Sequence, residues 1–394
     1  DCGAGPWYLS GMKRRERIVR QIRGEEVDRI PLIGGWNEGA GVLARLAGIS
    51  TEEYLSDPLS GVIRANKELH VDGMVRFVVP RSIEEIRSRN LAEADFAGHS
   101  PEELKQRAEH IADSEEEILR SRFDAEEVER EYRRYLETVR RQLGEIAFIP
   151  TFWEAVADFS LYFTYGYEAF LMATALYPEA VERIWWEDSV ICRARNRILA
   201  ALILEYELPP VVFTGHDICY NSGPMCSPGF LRKSYWPHAR YSVEPFLDAG
   251  IRLIQHCDGN VMPIVDDIVD AGFSGFQGFQ YEVGVDPYEL ASRRGPGGER
   301  MLFMAGLSCS RTLPFGTQKD VREEVEFILD YTDGGKGLLL FTSNVTGAET
   351  PAENLLAAYR HAESIGLQNR QRRQPPPRPW PGARIDPGQG YAPG

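Results

Sequence analysis

The chain predicts an α/β fold, a (β/α)8 barrel with an N-terminal helical segment and a charged helical insertion after the second strand. Three observations point there. Eight short apolar runs punctuate the sequence, at 30–34 (IPLIG), 74–79 (MVRFVV), 146–151 (IAFIPT), 211–215 (VVFTG), 252–256 (RLIQH), 275–277 (GFQ), 301–306 (MLFMAG) and 338–342 (LLLFT). Stretches of helical character separate them, and eight strand–helix units are the number that closes such a barrel. Gly250, Gly272 and Gly337 each stand just before a run, where glycine stops a helix in the left-handed conformation.

The elements follow in order. Residues 1–12 read as an N-terminal extension, since Met12 is a plausible natural start and the segment lacks the apolar centre of a signal peptide. Residues 13–23 (KRRERIVRQIR) read as a helix over the closed end of the barrel. The first run leads to a Gly-rich loop, 34–41 (GGWNEGAG). Residues 100–143 read as a helical insertion, dense in Glu and Arg. Ser100, Pro101, Glu102 and Glu103 make a strong helix start: serine caps, proline suits the first turn, and acids complement the helix dipole. Its charge reads as a wetted surface. An apolar helical stretch spans 159–176, and a helix over 178–206 ends before Pro209 and Pro210. One domain, 13–366, holds all eight units. The tail, 367–394, is rich in Pro, Gly and Arg and is expected to be disordered or draped on the surface.

Composition excludes several functions. The 394 residues are 43% hydrophobic, enough for a large core. A net charge of −15 argues against nucleic-acid backbone and against an anionic membrane surface, both of which demand clustered Lys and Arg. No apolar run reaches the length of a membrane span. Cys2, Cys192, Cys219, Cys226, Cys257 and Cys309 form no CxxC pair and read as free thiols of a cytoplasmic protein. There is no GxxxxGK[ST], HExxH or GxSxG, so nucleotide cradling and serine hydrolysis have no support.

A barrel of this kind reacts at the rim formed by the loops after its strands. Those loops hold Trp36, Asn37 and Glu38; Arg81; Trp153 and Glu154; His216, Asp217, Tyr220 and Asn221; His256, Asp258 and Asn260; Gln280, Tyr281 and Glu282; Ser308 and Cys309; Ser343 and Asn344. The sharpest feature is His256-Cys257-Asp258-Gly259-Asn260. On an extended strand, residues two apart share a side, so His256 and Asp258 point together and Cys257 points away. That pair suits a metal or a proton-transfer step; the bland alternative is a hydrogen-bonded His beside a turn. Asp217 is a second acid–base candidate or a turn cap. Glu154, beside Trp153, is either a raised-pKa acid or a salt-bridged loop residue. Trp36 and Tyr220 suit stacking on a flat ligand, although large aromatics also simply pack.

These segments together resemble the uroporphyrinogen decarboxylase superfamily, which includes corrinoid-linked methyltransferases. The matching pieces are 14–36, 216–228 (HDICYNSGPMCSP), 256–272 (HCDGNVMPIVDDIVDAG), 313–325 (LPFGTQKDVREEV) and 350–356 (TPAENLL). The resemblance implies a (β/α)8 barrel with a deep cleft at the C-terminal rim. The decarboxylase uses an Arg-rich loop after its first strand and an Asp after its second; this chain has neither. The thiol-methylating branch holds zinc with His-x-Cys and a later Cys. Here the pattern reads His256-x-Asp258, and residues 342–344 (TSN) offer no Cys.

The resemblance therefore implies a methyltransferase acting with a corrinoid (methylcobalamin) carried by a partner protein. The second reactant is a small-molecule methyl donor or acceptor: a tetrahydrofolate, amine or ether. His256, Asp258, Asp217 and Glu154 are the catalytic candidates. Trp36, Asn37, Trp153, Tyr220, Asn221, Gln280, Glu282 and Asn344 are the substrate-binding ones. His256 and Asp258 are the metal candidates, with zinc the expected ion. A homodimer is the expected assembly. The alternatives are a carboxy-lyase acting on a porphyrinogen or other carboxylate, and a non-catalytic ligand-binding barrel.

Overall fold

The computed structural model describes residues 11–82, 99–278, 280–365 and 380–385. Its fold is α/β with a mostly parallel sheet system. A three-stranded parallel sheet contains β1 (Ile33–Gly34), β2 (Gly73–Met74) and β3 (Ala147–Phe148). A five-stranded parallel sheet contains β4 (Val211–Gly215), β7 (Arg252–His256), β8 (Gly275–Gln277), β9 (Leu302–Leu307) and β10 (Leu338–Thr342), in the order β10-β9-β8-β7-β4. Single parallel bridges link the two sheets at both edges, Thr151 to Phe213 and Leu32 to Leu340. A hairpin of β5 (Cys219–Tyr220) and β6 (Gly223–Pro224) was not expected; two-residue strands leave no periodic signal.

The strands are apolar because both faces are buried. Alternate side chains divide between two clusters. Val211, Phe213, Ile254, Leu302, Met304, Leu339 and Phe341 pack with Ile18, Ile22 and Trp36 in one. Val212, Leu253, Phe303, Ala305, Leu338 and Leu340 pack in the other, among the helices.

The helix Arg14–Arg23 lies at the starts of the strands. Gln21 donates to the carbonyls of Gly335 (2.5 Å) and Leu338 (2.9 Å). Arg17 donates to Asp28 (2.5 Å) and Asp72 (2.6 Å), and Arg29 closes on Asp72 from the other side (2.7 Å). Asp72 also accepts the Leu32 amide, so its fully buried carboxylate is surrounded by donors.

Among the described residues, the region after β2 contains three helices, Pro101–Glu109, Glu115–Arg122 and Ala125–Leu143, the first starting at the expected Ser100, which forms a capping box with Glu103. It is more than a wetted surface: Leu104, Ile118, Leu136, Val139 and Leu143 are buried in the core. The long helix after it runs Pro178–Glu205. In the tail, Pro381–Arg384 form a 3-10 turn, which corrects the expectation of disorder for that segment. Trp380 is buried there and donates to Glu324 (2.8 Å), because an indole with a buried acceptor docks firmly. No helix among the described residues is long and apolar enough to cross a membrane.

Candidate active site

Strands β4 and β7 end side by side, with Gly215 paired to His256. Gly215 has φ +134°, and a side chain there would collide with the His256 backbone. Only glycine permits this approach. The turn it makes sends both His216 and Asp217 toward one cavity, where a regular strand would present only one of them.

Asp217, His256 and Asp258 converge, with one donor atom of each within 4.8 Å of the others. The Asp217 carboxylate lies 3.6 Å from His256 Nε2 and accepts the Asp258 amide at 2.7 Å. Cys257 points the other way, as alternation predicts, and its sulfur accepts the Ile218 amide (3.3 Å).

The proton on His256 is placed by Gln277. That amide donates to the carbonyls of Thr342 and Ser343, both at 3.0 Å. Both its hydrogens are thus committed, and Oε1 is left facing His256 Nδ1 at 2.5 Å. Nδ1 must therefore carry a hydrogen, so in the neutral ring it is Nε2, facing Asp217, that holds the lone pair. Gln277 ends the run at 275–277 and was not among the candidate site residues. The available signal was a polar side chain closing an otherwise apolar strand.

Asp258 is held at 2.5 Å by the Asn344 amide through Oδ2. Its Oδ1 is buried and has no hydrogen-bond partner. Burial pushes its carboxyl up to about 7; nearby Asp217 and Glu282 push the same way, against His256 and Asn344. Trp36, Trp153 and Phe213 wall the imidazole, with ring centroids 5.7, 5.5 and 6.0 Å away.

A cavity of about 550 Å³ opens beside this cluster. Trp36, Trp153, Glu154, Asp217, His256 and the rim residue His216 line it, as do Asp158, Ser160, Asp188, Cys192 and Arg195, none of them a site candidate from the sequence. Asp188, Cys192 and Arg195 follow at i, i+4 and i+7, one face of the helix Pro178–Glu205, and that spacing was the available signal. His216 Nδ1 lies 2.8 Å from the Ser160 hydroxyl and 3.4 Å from Asp158.

The other candidates are placed as follows. Glu154 accepts the Tyr132 hydroxyl (2.6 Å). Trp36 donates to the Arg76 carbonyl (3.1 Å) and is buried, so it packs as a wall and offers no open stacking face. Asn37 accepts the Gly39 amide (2.9 Å), a turn contact away from the triad. Tyr220 is exposed, its ring centroid 6.2 Å from that of Tyr167, and Asn221 is also exposed; neither lines the cavity. Gln280 accepts the Gly259 amide (2.6 Å), a shape-holding contact. Glu282 accepts the hydroxyls of Ser308 (2.5 Å) and Ser310.

Comparison with known proteins places this geometry in context. No protein-family model matches the chain, and no curated protein matches it. A solved structure, a methyltransferase from Methanosarcina mazei, is similar in fold, with a TM-score of 0.57 and 17% sequence identity. The likeness covers 89% of this chain and 98% of that one. At that identity the likeness is one of fold.

Proposed function

We propose that the chain is a methyltransferase of the uroporphyrinogen decarboxylase superfamily. In this reading it moves a methyl group between a corrinoid protein and a small molecule bound in the 550 Å³ cavity. The observation that carries the reading is the convergence of Asp217, His256 and Asp258 at strand ends, beside an aromatic-walled cavity. The methyltransferase with a similar fold supports it. The two edge bridges support the reading that the eight parallel strands close into a barrel, whose reacting rim would then hold this cluster.

The three side chains fit a divalent cation. One imidazole nitrogen with a bare lone pair and two carboxylates form a nitrogen–oxygen set, and Asp258 Oδ1 is a buried acceptor awaiting a partner. The absence of thiolates makes the set unlike the thiophilic zinc site of the thiol-methylating branch. When bound, such an ion would stabilise the electron pair left on the heteroatom as the methyl group departs. The chain's own residues do the rest. Gln277 fixes the imidazole, Asn344 orients Asp258, and Trp36 and Trp153 exclude water, so the reactants meet aligned in a dry pocket.

The test is a spectral assay of methylcobalamin formation or consumption against folate, amine and ether substrates, with and without added zinc. His256→Ala should retain its circular dichroism and lose at least about a hundredfold in rate, since even loss of an outer-sphere partner costs ten- to a hundredfold. Near-normal turnover by this variant would remove His256 from the mechanism. Release of carbon dioxide from a porphyrinogen, with no methyl transfer, would favour the carboxy-lyase.

A further inference from the structure

The cavity is acidic well beyond the triad. Besides Asp217 of the triad, Glu154, Asp158 and Asp188 line it, against the single guanidinium of Arg195. Arg195 donates through Nη1 to the Glu154 carbonyl at 2.8 Å and reaches Cys192 Sγ at 3.8 Å, while its charge acts on Asp188 and offsets part of the acidic lining.

Asp188 supplies an independent observation. One oxygen accepts the Asp158 amide at 2.6 Å, and the carboxyl borders the cavity with no other bonded donor among the described residues. Burial raises its pKa and the Asp158 carboxylate pushes the same way, against the Asp158 amide, Arg195 and His216. Asp158 is half exposed into the same space, and Trp153 and Phe163 add aromatic surface.

We propose that this cavity takes a methylated ammonium cation, its charge facing Asp158 and Asp188 and its methyl groups against Trp153 and Phe163. The proposal rests on the methyl-transfer reading and names its substrate class. A quaternary nitrogen has no N–H to satisfy, is weakly hydrated, and is attracted by both carboxylates and ring faces. A carboxylate ligand would meet an excess of its own charge. The chemistry balances without a proton donor. The C–N bond breaks, nitrogen keeps the bonding pair and leaves as a neutral amine, and the methyl group passes to the reduced corrinoid of the partner, which supplies the new pair.

Isothermal titration of the whole chain with choline, with its neutral isostere carrying carbon in place of nitrogen, and with methoxybenzoate tests this. Choline should bind at least about tenfold more tightly than the isostere, a difference worth about 1.4 kcal/mol. Asp158→Asn together with Asp188→Asn should erase the preference. If that double variant fails to fold, salt titration of the wild type should shrink the preference instead. Equal binding of choline and the isostere, or tighter binding of methoxybenzoate, would overturn the proposal. Methyl transfer from a methoxylated substrate without choline binding would sink this inference and leave the methyltransferase standing. Choline binding without any methyl transfer would do the reverse.

Discussion

Two groups of charges stand at opposite ends of the strands, and they are built on opposite terms. At the strand starts, Asp72 accepts from Arg17, Arg29 and the Leu32 amide, and Arg17 is shared with Asp28. Every oxygen of Asp72 has a donor. At the strand ends, Asp217 and Asp258 crowd around the single imidazole of His256, and Asp258 Oδ1 has no hydrogen-bond partner among the described residues. A completed network holds the fold. An uncompleted one costs stability and is tolerated where something is to be bound.

That contrast is breakable. The largest stability effect should come from Asp72→Asn, which leaves Arg17 and Arg29 without their shared anion. Breaking a buried pair costs about 3–5 kcal/mol, and urea unfolding should register a loss of that size. Asp258→Asn, an equally conservative change, should leave the urea midpoint near that of wild type or raise it. If both substitutions destabilised alike, the distinction between the two ends would fail.

Gln277→Leu should act next most strongly, and on rate rather than fold. It frees the His256 ring to take either tautomer, and loss of such a partner lowers metal affinity or activity ten- to a hundredfold. Zinc titration followed by dialysis measures the first and the methylcobalamin assay the second. An unchanged zinc affinity and rate would show that the imidazole needs no outside orientation.

The smallest effect tests a carboxyl between these extremes. Glu324 is fully buried, and burial pushes it up to about 8, although Trp380 and the Ser308 amide donate to it. In the unfolded chain it titrates near the usual glutamate value of about 4.3. The folded chain thus holds the proton more tightly, so the stability Glu324 contributes is complete below that value and is lost as pH rises toward 8. Urea midpoints at acid, neutral and mildly basic pH should show this decline in wild type. Glu324→Gln should flatten it, and an identical slope in the variant would assign the decline to other groups.

Much of the scaffold was legible. The runs at 211–215, 252–256, 275–277 and 338–342 coincide with β4, β7, β8 and β10, because strands buried on both faces must be continuously apolar. The runs at 30–34, 74–79 and 146–151 gave only two-residue strands, their remaining residues serving in bridges and loops. The pairing of His256 with Asp258 followed from alternation. Asp217 joined them only because Gly215 bends the chain, a backbone event that composition does not announce. The far wall of the cavity was hidden for another reason. Asp188 and Arg195 sit in a helix whose charges look like ordinary surface until its packing is known.

The Gln277 amide has one last consequence. Because both its hydrogens are spent on the main chain at Thr342 and Ser343, the direction of the imidazole lone pair is inherited from the spacing of neighbouring strands. No passing solvent molecule or drifting loop sets it. Whatever arrives in the pocket meets an electron pair whose aim was decided when the chain folded, and re-aiming it would require moving the scaffold itself.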